Sequence, residues 1–367
     1  MRRIFAGALA ALVLAVSCGD KFDTSGKEPS KRELLARFMP DQMADGQVKV
    51  AVIRNLTVTD HSRQFLEGAA AEGRSFGFIV DTFTTGGDNK RCGELIARIA
   101  GADYDGVILS YGDAGFTGAA LKPVSDRGLK VVTFNALPAH HEGTPLPGVV
   151  STAQNDEEMA RSSLEALRSR FDGLRPVRVI RAWAGPGIPP LDRRQTVYDE
   201  FVRAGEIEEL ALVRPQDFAD ARGGIRKALT GILPEFPPGS VDGIWASYDE
   251  FAKGCVDALM EAGREDIKLV SLDISSDGVM LMREHSGIWV STSAADPRLM
   301  GGVTMRILAA QFSGEPVPAA YNFDTQLVWA SELNRSGAVP GWDQGEGPFG
   351  GYPWMAELKA AGNDGKK

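Results

Sequence analysis

The chain has 367 residues, of which 43% are hydrophobic and 24% are charged, and this is the composition of a soluble globular protein long enough for two domains. Its formal net charge of −9 becomes −11 once a segment carrying Arg2 and Arg3 is removed, which argues against nucleic acid as a partner. Collagen-like, coiled-coil and disordered classes do not fit, and three cysteines are too few for a disulfide framework.

The first residues have the features of a secretory signal peptide, predicted over residues 1–17. A basic pair precedes an apolar run that is too short to span a bilayer as a mature helix. The segment Leu14 to Cys18 resembles a bacterial lipobox, which would make Cys18 the lipidated first residue of the mature protein. An ordinary signal peptide with a chance cysteine is the alternative. Residues 18–47 are predicted to form a lipid anchor and a polar tether with one short helix around Leu34 to Phe38.

From Val48 onward, short apolar runs alternate with segments of helical periodicity. Glycines 73, 101 and 128 lie where three of the predicted helices are expected to end. Repeated βα units of this length predict a parallel, doubly wound sheet. The pattern restarts after a short strand at Val149 to Ser151, so we expect two similar α/β lobes with a cleft between them. A single late strand is predicted over Tyr321 to Trp329.

One βαβ unit in the second half places polar side chains at the ends of two strands. Tyr248 and Asp249 follow the apolar run that begins at Val241, and Asp273 follows the next apolar run. In an open parallel sheet the ligand crevice lies beyond the carboxyl ends of the strands, so these three residues are expected to face one cleft. A capping role at the start of the intervening helix is the alternative for Asp249.

Motifs of the common catalytic and nucleotide-binding sites are missing from the sequence. No GxGxxG follows the first strand, and neither a GxxxxGK loop nor a GxSxG elbow occurs. The run His140-His141-Glu142 predicts no metal site, because adjacent histidines in an extended segment point apart. Cys92 and Cys255 are predicted to be buried free thiols, one in each lobe. We therefore predict no cofactor, no metal and no enzymatic activity; Asp60 with His61 is the weak catalytic candidate.

Five segments together carry a family signature: Tyr104 to Leu109, Leu129 to Asn135, Gln216 to Phe218, Trp245 to Ala252 and Leu269 to Asp273. Over roughly Val48 to Glu332, the chain resembles the type I periplasmic binding proteins of the ribose and galactose group, which are solute receptors of bacterial ABC transporters. The resemblance implies two doubly wound lobes joined by three crossover strands, near Ser151 to Gln154, Ser293 to Asp296 and Tyr321 to Gln326, that close around a ligand.

The resemblance also sets the expected domain boundaries. The N-terminal lobe is expected to comprise residues 48–152 plus 296–318. Residues 153–295 plus 319–360 are expected to form the C-terminal lobe, and residues 361–367 a disordered tail.

The residues at the family's ligand-binding positions agree with a sugar ligand only in part. Asp273 stands where the family has a carboxylate that accepts hydrogen bonds from sugar hydroxyls, and Phe218 stands where an aromatic ring packs on the sugar. Asn135, Tyr248 and Ala295 replace residues that are usually aspartate, asparagine and an amide. Because each unpaired buried polar group costs about 1–3 kcal/mol, these changes argue against ribose itself.

Six further residues are candidates for the cleft. Asp60 and His61 lie in the loop where sugar binders often have aromatic residues. The resemblance also implies an arginine that donates to ligand oxygens, and Arg193, Arg194 or neither corresponds to it. Tyr111 and Trp183 complete this set, because they could stack on an apolar ligand face; ordinary core packing is the alternative for each aromatic.

The resemblance implies a monomeric, lipid-anchored extracytoplasmic receptor that delivers a small polyhydroxylated solute, a sugar or polyol, to the permease of an ABC transporter. One alternative keeps the fold but binds a less polar, lipid-like ligand for a different envelope transporter, and another is a chemosensory receptor. Sugar-responsive repressors share the fold, but they carry a DNA-binding head where this chain has its predicted signal peptide.

Overall fold

The computed structural model describes residues 28–136, 140–141, 143–171, 176–336, 339, 342 and 347–361. The predicted signal peptide, Cys18 and residues 362–367 of the predicted tail lie outside the described residues.

Helices and strands alternate along the described chain, as the periodicity predicts. The strands are β1 (Lys49–Arg54), β2 (Ile79–Thr84), β3 (Gly106–Gly112), β4 (Lys130–Ala136), β5 (His140–His141), β6 (Thr144–Pro145), β7 (Val149–Gln154), β8 (Val177–Ala182), β9 (Ile207–Val213), β10 (Gly243–Ala246), β11 (Lys268–Leu272), β12 (Trp289–Ala294), β13 (Ala320–Phe323) and β14 (Gln326–Trp329). The α-helices are α1 (Lys31–Phe38), α2 (Asp60–Phe76), α3 (Asn89–Ala100), α4 (Ala114–Asp126), α5 (Asp156–Arg168), α6 (Pro189–Arg203), α7 (Ala221–Ile232), α8 (Asp249–Ala262), α9 (Ser276–Glu284), α10 (Pro297–Phe312), α11 (Ala330–Ser336) and α12 (Pro353–Ala360).

Within the described residues, the strands form two six-stranded sheets and one short ribbon of β5 and β6. The first sheet has the order β13-β7-β4-β3-β1-β2, with every neighbouring pair parallel. The second has the order β14-β12-β11-β10-β8-β9, in which only β14 runs antiparallel to its neighbour. The predicted fold, two doubly wound α/β lobes, is confirmed.

The chain crosses between the lobes three times, at the predicted positions. It crosses from β7 to α5, from β12 to α10, and from β13 to β14. The prediction of one late strand is wrong, because the chain leaves the first sheet after Phe323 and joins the second at Gln326. The residues Tyr321 to Trp329 therefore form two strands, one in each lobe.

Two parts of residues 319–360, predicted to lie in the C-terminal lobe, belong to the first lobe instead. Strand β13 pairs with β7 in the first sheet, and α12 buries Trp354 and Leu358 in the first lobe's core. Helix α1 buries Leu34 in the same core, so this part of the predicted tether, residues 18–47, is a packed element. The short helix predicted around Leu34 to Phe38 corresponds to α1. Its packing and the whole of α12 were not predicted, because short amphipathic segments find their partners only in three dimensions.

We propose revised boundaries that follow these contacts. The described residues within 31–154, 297–323 and 353–360 form the first lobe, and those within 155–296 and 324–336 form the second.

Each sheet is covered by helices on both faces, which explains its nearly continuous apolar strands. In β1, Val50 and Val52 join the core under α2 and α10, whereas Ala51 and Ile53 join the core under α3 and α4. In the second lobe, α5 and α6 cover one face, and α7, α8 and α9 cover the other. The helices therefore leave the ends of the strands uncovered, and the cleft forms there.

Helices α2 and α10 cross with their backbones in direct contact. A Cβ atom at Gly68 would lie 2.1 Å from the carbonyl oxygen of Arg298, and one at Gly301 would lie 2.1 Å from that of Phe65. Such distances are far below van der Waals contact, so both positions require glycine. The glycine that ends α2 is Gly77, in the left-handed conformation with φ of 94°, rather than the predicted Gly73.

Both cysteines of the described chain are buried free thiols. Burial raises the pKa of the Cys92 thiol to about 11 and raises that of Cys255 as well. A thiol that stays protonated is a poor nucleophile and a poor metal ligand, so their role is in packing.

Asp105 gives the first lobe a measurable pH dependence. Its carboxylate accepts a hydrogen bond of 2.8 Å from the backbone N–H of Lys49, but burial raises its pKa to about 6. The folded state therefore binds a proton more tightly than the unfolded state, and stability is lost as pH rises from about 4 through 6. We expect Asp105→Asn, which keeps an acceptor for Lys49, to stabilise the protein by about 1 kcal/mol at pH 8, allowing for solvent screening of a half-buried group.

The check is a pair of thermal melts of wild type and Asp105→Asn, at about pH 3.5 and at pH 8. At the lower pH the two proteins should melt nearly together, because Asp105 is then mostly protonated in both the folded and the unfolded state. An equal difference at both pH values would show that the carboxylate's charge is not the cause.

Candidate ligand-binding site

A cleft of about 700 Å³ lies between the lobes, at the carboxyl ends of both sheets. The first lobe contributes the loops after β1, β2 and β3, and the second contributes the loops after β8, β9, β10 and β11. This is the position at which open α/β sheets bind ligands, and the volume is in the usual range for small-molecule sites.

Seven of the ten residues predicted to bind the ligand line this cleft. They are Asp60, His61, Tyr111, Arg194, Phe218, Tyr248 and Asp273. The other three, Asn135, Trp183 and Arg193, lie behind the lining residues or away from them, and their contacts explain why.

Asp273 and Arg194 form a buried ion pair at the base of the cleft. Nη1 of Arg194 donates to Oδ2 of Asp273 at 2.8 Å, and its Nε donates to Asp156 at 2.8 Å. Burial alone would raise the pKa of Asp273, but the charge and hydrogen bonds of Arg194, with a hydrogen bond from Gln154, outweigh it and hold that pKa below its usual value. Asp273 therefore stays ionised and can accept from a ligand hydroxyl with its remaining lone pairs.

Gln154, at the end of hinge strand β7, joins the two lobes at the same point. Its Nε2 donates to Oδ1 of Asp273 at 2.8 Å, and its Oε1 accepts from Nδ2 of Asn135 at 2.8 Å. The amide of Asn135 also accepts from the backbone N–H of Gln154 at 3.1 Å. Asn135 is thus positioned to hold the hinge strand, whereas the sequence had suggested a ligand contact.

Three residues at strand ends around the cleft have left-handed backbone conformations. The φ angles are 67° at Tyr111, 50° at Asn135 and 61° at Asp273. Residues other than glycine adopt this conformation at a cost, and they cluster where a structure needs a side chain in a specific direction. All three residues lie within one residue of the carboxyl end of a strand, at the side of the sheets where the lobes meet.

The second lobe's wall contains a buried group of acidic and hydroxyl side chains. Asp249 is the first residue of α8 and accepts from Oγ of Ser275 at 2.7 Å. Nζ of Lys253 donates to Glu250 at 2.6 Å and to Asp277 at 2.9 Å. Tyr248, which precedes this helix, lines the cleft, and burial raises the pKa of its phenol well above 10. It is therefore a neutral donor and acceptor at physiological pH.

The remaining predicted residues differ in exposure. Phe218 is 44% exposed at the rim, so its ring is accessible to the apolar face of a ligand. Trp183 is buried, with the guanidinium groups of Arg181 and Arg214 at 5.0 Å and 5.2 Å from its ring centre, so it has no free face for a ligand. Arg193 donates to Asp156 at 2.6 Å and thereby supports Arg194 from behind.

Contacts at the rim also join the lobes. Oδ2 of Asp60 accepts from the backbone N–H of Asp277 at 3.2 Å, and Nε2 of Gln64 donates to Oγ of Ser276 at 2.9 Å. The start of α2 and the start of α9 are therefore held together at one side of the cleft. Closure at this side is achieved by the protein's own polar groups.

Sequence reasoning missed Arg54, which lies at the end of β1 and lines the cleft. Its signal was a charged residue at the carboxyl end of an apolar strand, the same signal that identified Asp273. The sequence placed Arg54 in a loop instead. Gln154 and Asp156 were missed because their roles depend on partners far away in the chain.

Among the described residues, no group of histidine, cysteine and acidic side chains could hold a metal ion. None of the described helices combines the length and apolar character that a membrane span requires.

Comparisons with known proteins agree with this architecture. The family model for the periplasmic binding protein domain matches residues 50–316. The crystal structure of a sugar ABC transporter protein from Yersinia enterocolitica subsp. enterocolitica is 34% identical, covers 87% of this chain and 97% of that chain, and has a TM-score of 0.79. A 5-methylthioribose transporter solute-binding protein from Thermotoga lettingae, solved with 5-methylthioribose, is 25% identical over 85% of this chain and 96% of that chain, with a TM-score of 0.74.

Curated relatives agree as well, over a shorter span. The ribose import binding protein of Salmonella typhimurium is 29% identical over 131 residues, which are 36% of this chain and 42% of the relative. The ribose import binding protein of Escherichia coli K12 is 24% identical, over 60% of this chain and 70% of the relative. Because the family model covers most of the chain and the two-lobed fold matches, the protein belongs to the periplasmic binding protein family.

Proposed function

We propose that the protein captures a sugar or polyol in the cleft between its lobes and delivers it to the permease of an ABC transporter. The observation that carries this proposal is the polar lining of a cleft to which both lobes contribute. A ligand that contacts both walls would hold the lobes together. The closed conformation would then distinguish the ligand-bound receptor from the unbound one.

The chemistry of the lining favours a ligand rich in hydroxyl groups. Among the described residues, seven carboxylates and four arginines line the cleft. Hydroxyl groups both donate and accept, so a polyol can pair with either kind of side chain. A lipid-like ligand would make no hydrogen bonds to these groups and would exclude water from them, and each polar group that lost its hydrogen bonds in this way would cost about 1–3 kcal/mol.

The relatives support the same ligand class, since their names include a sugar ABC transporter, a 5-methylthioribose complex and ribose import. Membership of the family implies an extracytoplasmic location. Attachment to a membrane through a lipidated Cys18 is part of our proposal and is supported by the lipobox-like sequence.

The test is native mass spectrometry of the protein beginning after Cys18, purified without added ligand, together with a thermal-shift screen of sugars, polyols and lipids. We expect a bound mass of sugar size, or a rise in melting temperature with a sugar or polyol. A lipid-sized mass with no response to any sugar would contradict the proposed ligand class.

Phe218 provides a specific prediction for this site. We expect Phe218→Ala to weaken sugar binding about tenfold, or about 1.4 kcal/mol, because the exposed ring can pack on the apolar face of a sugar. The melting temperature of the unliganded protein should hardly change, since the side chain is 44% exposed.

Met280→Ala is the matched control, because Met280 is 63% exposed on α9 and does not line the cleft. Calorimetric titration should show normal affinity for this variant. If the Phe218 and Met280 variants bind the sugar with equal affinity, Phe218 does not contribute to ligand binding.

A further inference from the structure

Arg54 is a buried cation at the cleft without a direct counterion. Its side chain is 1% exposed, and within the described residues no carboxylate forms an ion pair with it. Nη1 donates to Oγ of Ser110 at 2.9 Å, and Nη2 donates to Nδ1 of His61 at 3.0 Å, so both partners are neutral. Burial lowers the pKa of Arg54, and Tyr111, followed by the more distant Asp273 and Asp249, favours its charged form. Buried charges are normally paired, so this arrangement needs an explanation.

Aromatic rings surround the guanidinium in place of a carboxylate. Its central carbon lies 4.7 Å from the ring centre of Phe65, 5.0 Å from that of Tyr111 and 5.6 Å from that of Phe134. Cation–π contacts compensate part of the lost hydration, but they leave hydrogen-bond donors unused. Nε of Arg54 is buried and has no partner among the described residues.

His61 adds a second unused donor at the same place. Because a guanidinium has only donors, Nδ1 of His61 must accept from Arg54, and the neutral ring then carries its proton on Nε2. Burial, and then the charge of Arg54, lower the pKa of His61, so the ring stays neutral. His61 is 6% exposed and lines the cleft, and its Nε2 is buried without a partner in the described part of the chain.

The two walls of the cleft therefore differ in chemistry. The first lobe offers unused donors on Arg54 and His61. The second offers acceptors: Asp273, Asp249 and Asp277, each held by at least one partner of its own lobe. Hydroxyl groups suit the carboxylate wall, whereas the donor wall suits an oxygen that carries negative charge and no hydrogen.

We propose that the ligand is a sugar acid whose carboxylate binds Arg54 and Nε2–H of His61, while its hydroxyl groups donate to the carboxylates of the second lobe. This inference rests on the proposed function and specifies the ligand class of the same site. A ligand carboxylate would supply the counterion that Arg54 lacks, through charge-assisted hydrogen bonds.

The first experiment uses the wild-type protein, stripped of bound ligand by unfolding and refolding, and compares matched pairs that differ in one acidic group. The pairs are D-ribonate with D-ribose, D-gluconate with D-glucose, and D-galacturonate with D-galactose, with sodium acetate and L-lactate as simple anions. We expect at least one acid to bind at least 100-fold more tightly than its neutral partner in thermal-shift and calorimetric titrations.

The second experiment uses variants of the two donors. Arg54→Met should reduce binding of that acid at least 100-fold, change binding of the neutral partner less than threefold, and raise the melting temperature of the unliganded protein, because the uncompensated cation is gone. His61→Asn keeps an acceptor for Arg54 but removes the second donor, so it should weaken acid binding about tenfold and keep the preference for the acid.

The outcomes separate this inference from the proposed function. A neutral sugar that binds as tightly as its acid, or acid binding that survives Arg54→Met, overturns the sugar acid and leaves the sugar receptor intact. If no sugar or sugar acid binds but acetate or lactate stabilises wild type and not Arg54→Met, the anion site stands and the sugar receptor falls. If no compound has any effect, both fail.

Discussion

Replacing Gly301 by alanine is expected to lower the melting temperature by about 10 °C or to prevent folding altogether. The added Cβ would lie 2.1 Å from the backbone carbonyl oxygen of Phe65, which belongs to the facing helix and cannot rotate away. Helices α2 and α10 would have to separate by more than 1 Å over their whole contact. We estimate the cost at about 4 kcal/mol, at the upper end of overpacking effects.

The control is the neighbouring residue of the same helix. A Cβ at Gly302 would have its nearest neighbours at 3.9 Å, which is ordinary contact. Alanine is the better helix former by about 1 kcal/mol, so Gly302→Ala should be neutral or slightly stabilising. Thermal and urea unfolding followed by circular dichroism would measure both variants. A small effect at Gly301 would mean that the two helices can move apart at little cost.

Arg194→Ala is expected to destabilise the unliganded protein by about 3–5 kcal/mol and to abolish ligand binding. Arg194 lies between Asp156 and Asp273, and its side chain is 2% exposed. Removing the guanidinium leaves Asp273 with only the amide of Gln154 as a donor. Removing one partner of a buried ion pair costs about 3–5 kcal/mol, because the charge of the other partner stays desolvated.

The sign of the pH dependence identifies this mechanism. Without Arg194, burial would raise the pKa of Asp273 above its unfolded value, so the variant should lose stability as pH rises through that folded pKa. The difference in melting temperature between wild type and Arg194→Ala should therefore be smaller at pH 5 than at pH 8.

Arg193→Ala is the matched control for Arg194→Ala. The side chain of Arg193 is 31% exposed, and Asp156 still pairs with Arg194 when Arg193 is removed. We expect a loss of about 1 kcal/mol for this variant. Equal losses for the two arginines, or a deficit that does not change with pH, would contradict the buried-pair explanation.

The fold was predictable because its signals are local. Apolar runs such as β1 and glycines such as Gly263, which ends α8 with φ of 63°, specify elements within a few residues of sequence. Repetition of those elements then implied a parallel, doubly wound sheet in each of two lobes. The split of the late strand was not predictable, because nothing in residues 321–329 distinguishes one sheet from another.

The site was predictable in position but not in its connections. Asp273 was identified from its place at a strand end, yet the sequence suggested a carboxylate free for the ligand. Its partners lie 79 residues away at Arg194 and 119 residues away at Gln154, and no periodicity links them. Asn135 and Trp183 failed to line the cleft for the same reason: Asn135 is engaged by Gln154 and Trp183 by Arg214, which only the folded chain brings near.

Helices α1 and α12 pack on the same lobe as each other, outside the region that the family model matches. A pair of fluorescent labels on these two helices would move as one body and would give a constant energy-transfer signal. A label on α12 paired with one on α7 spans both lobes, so its energy transfer would change with every hinge movement. The packing of two terminal helices thus determines where a reporter of ligand capture can be attached to this protein.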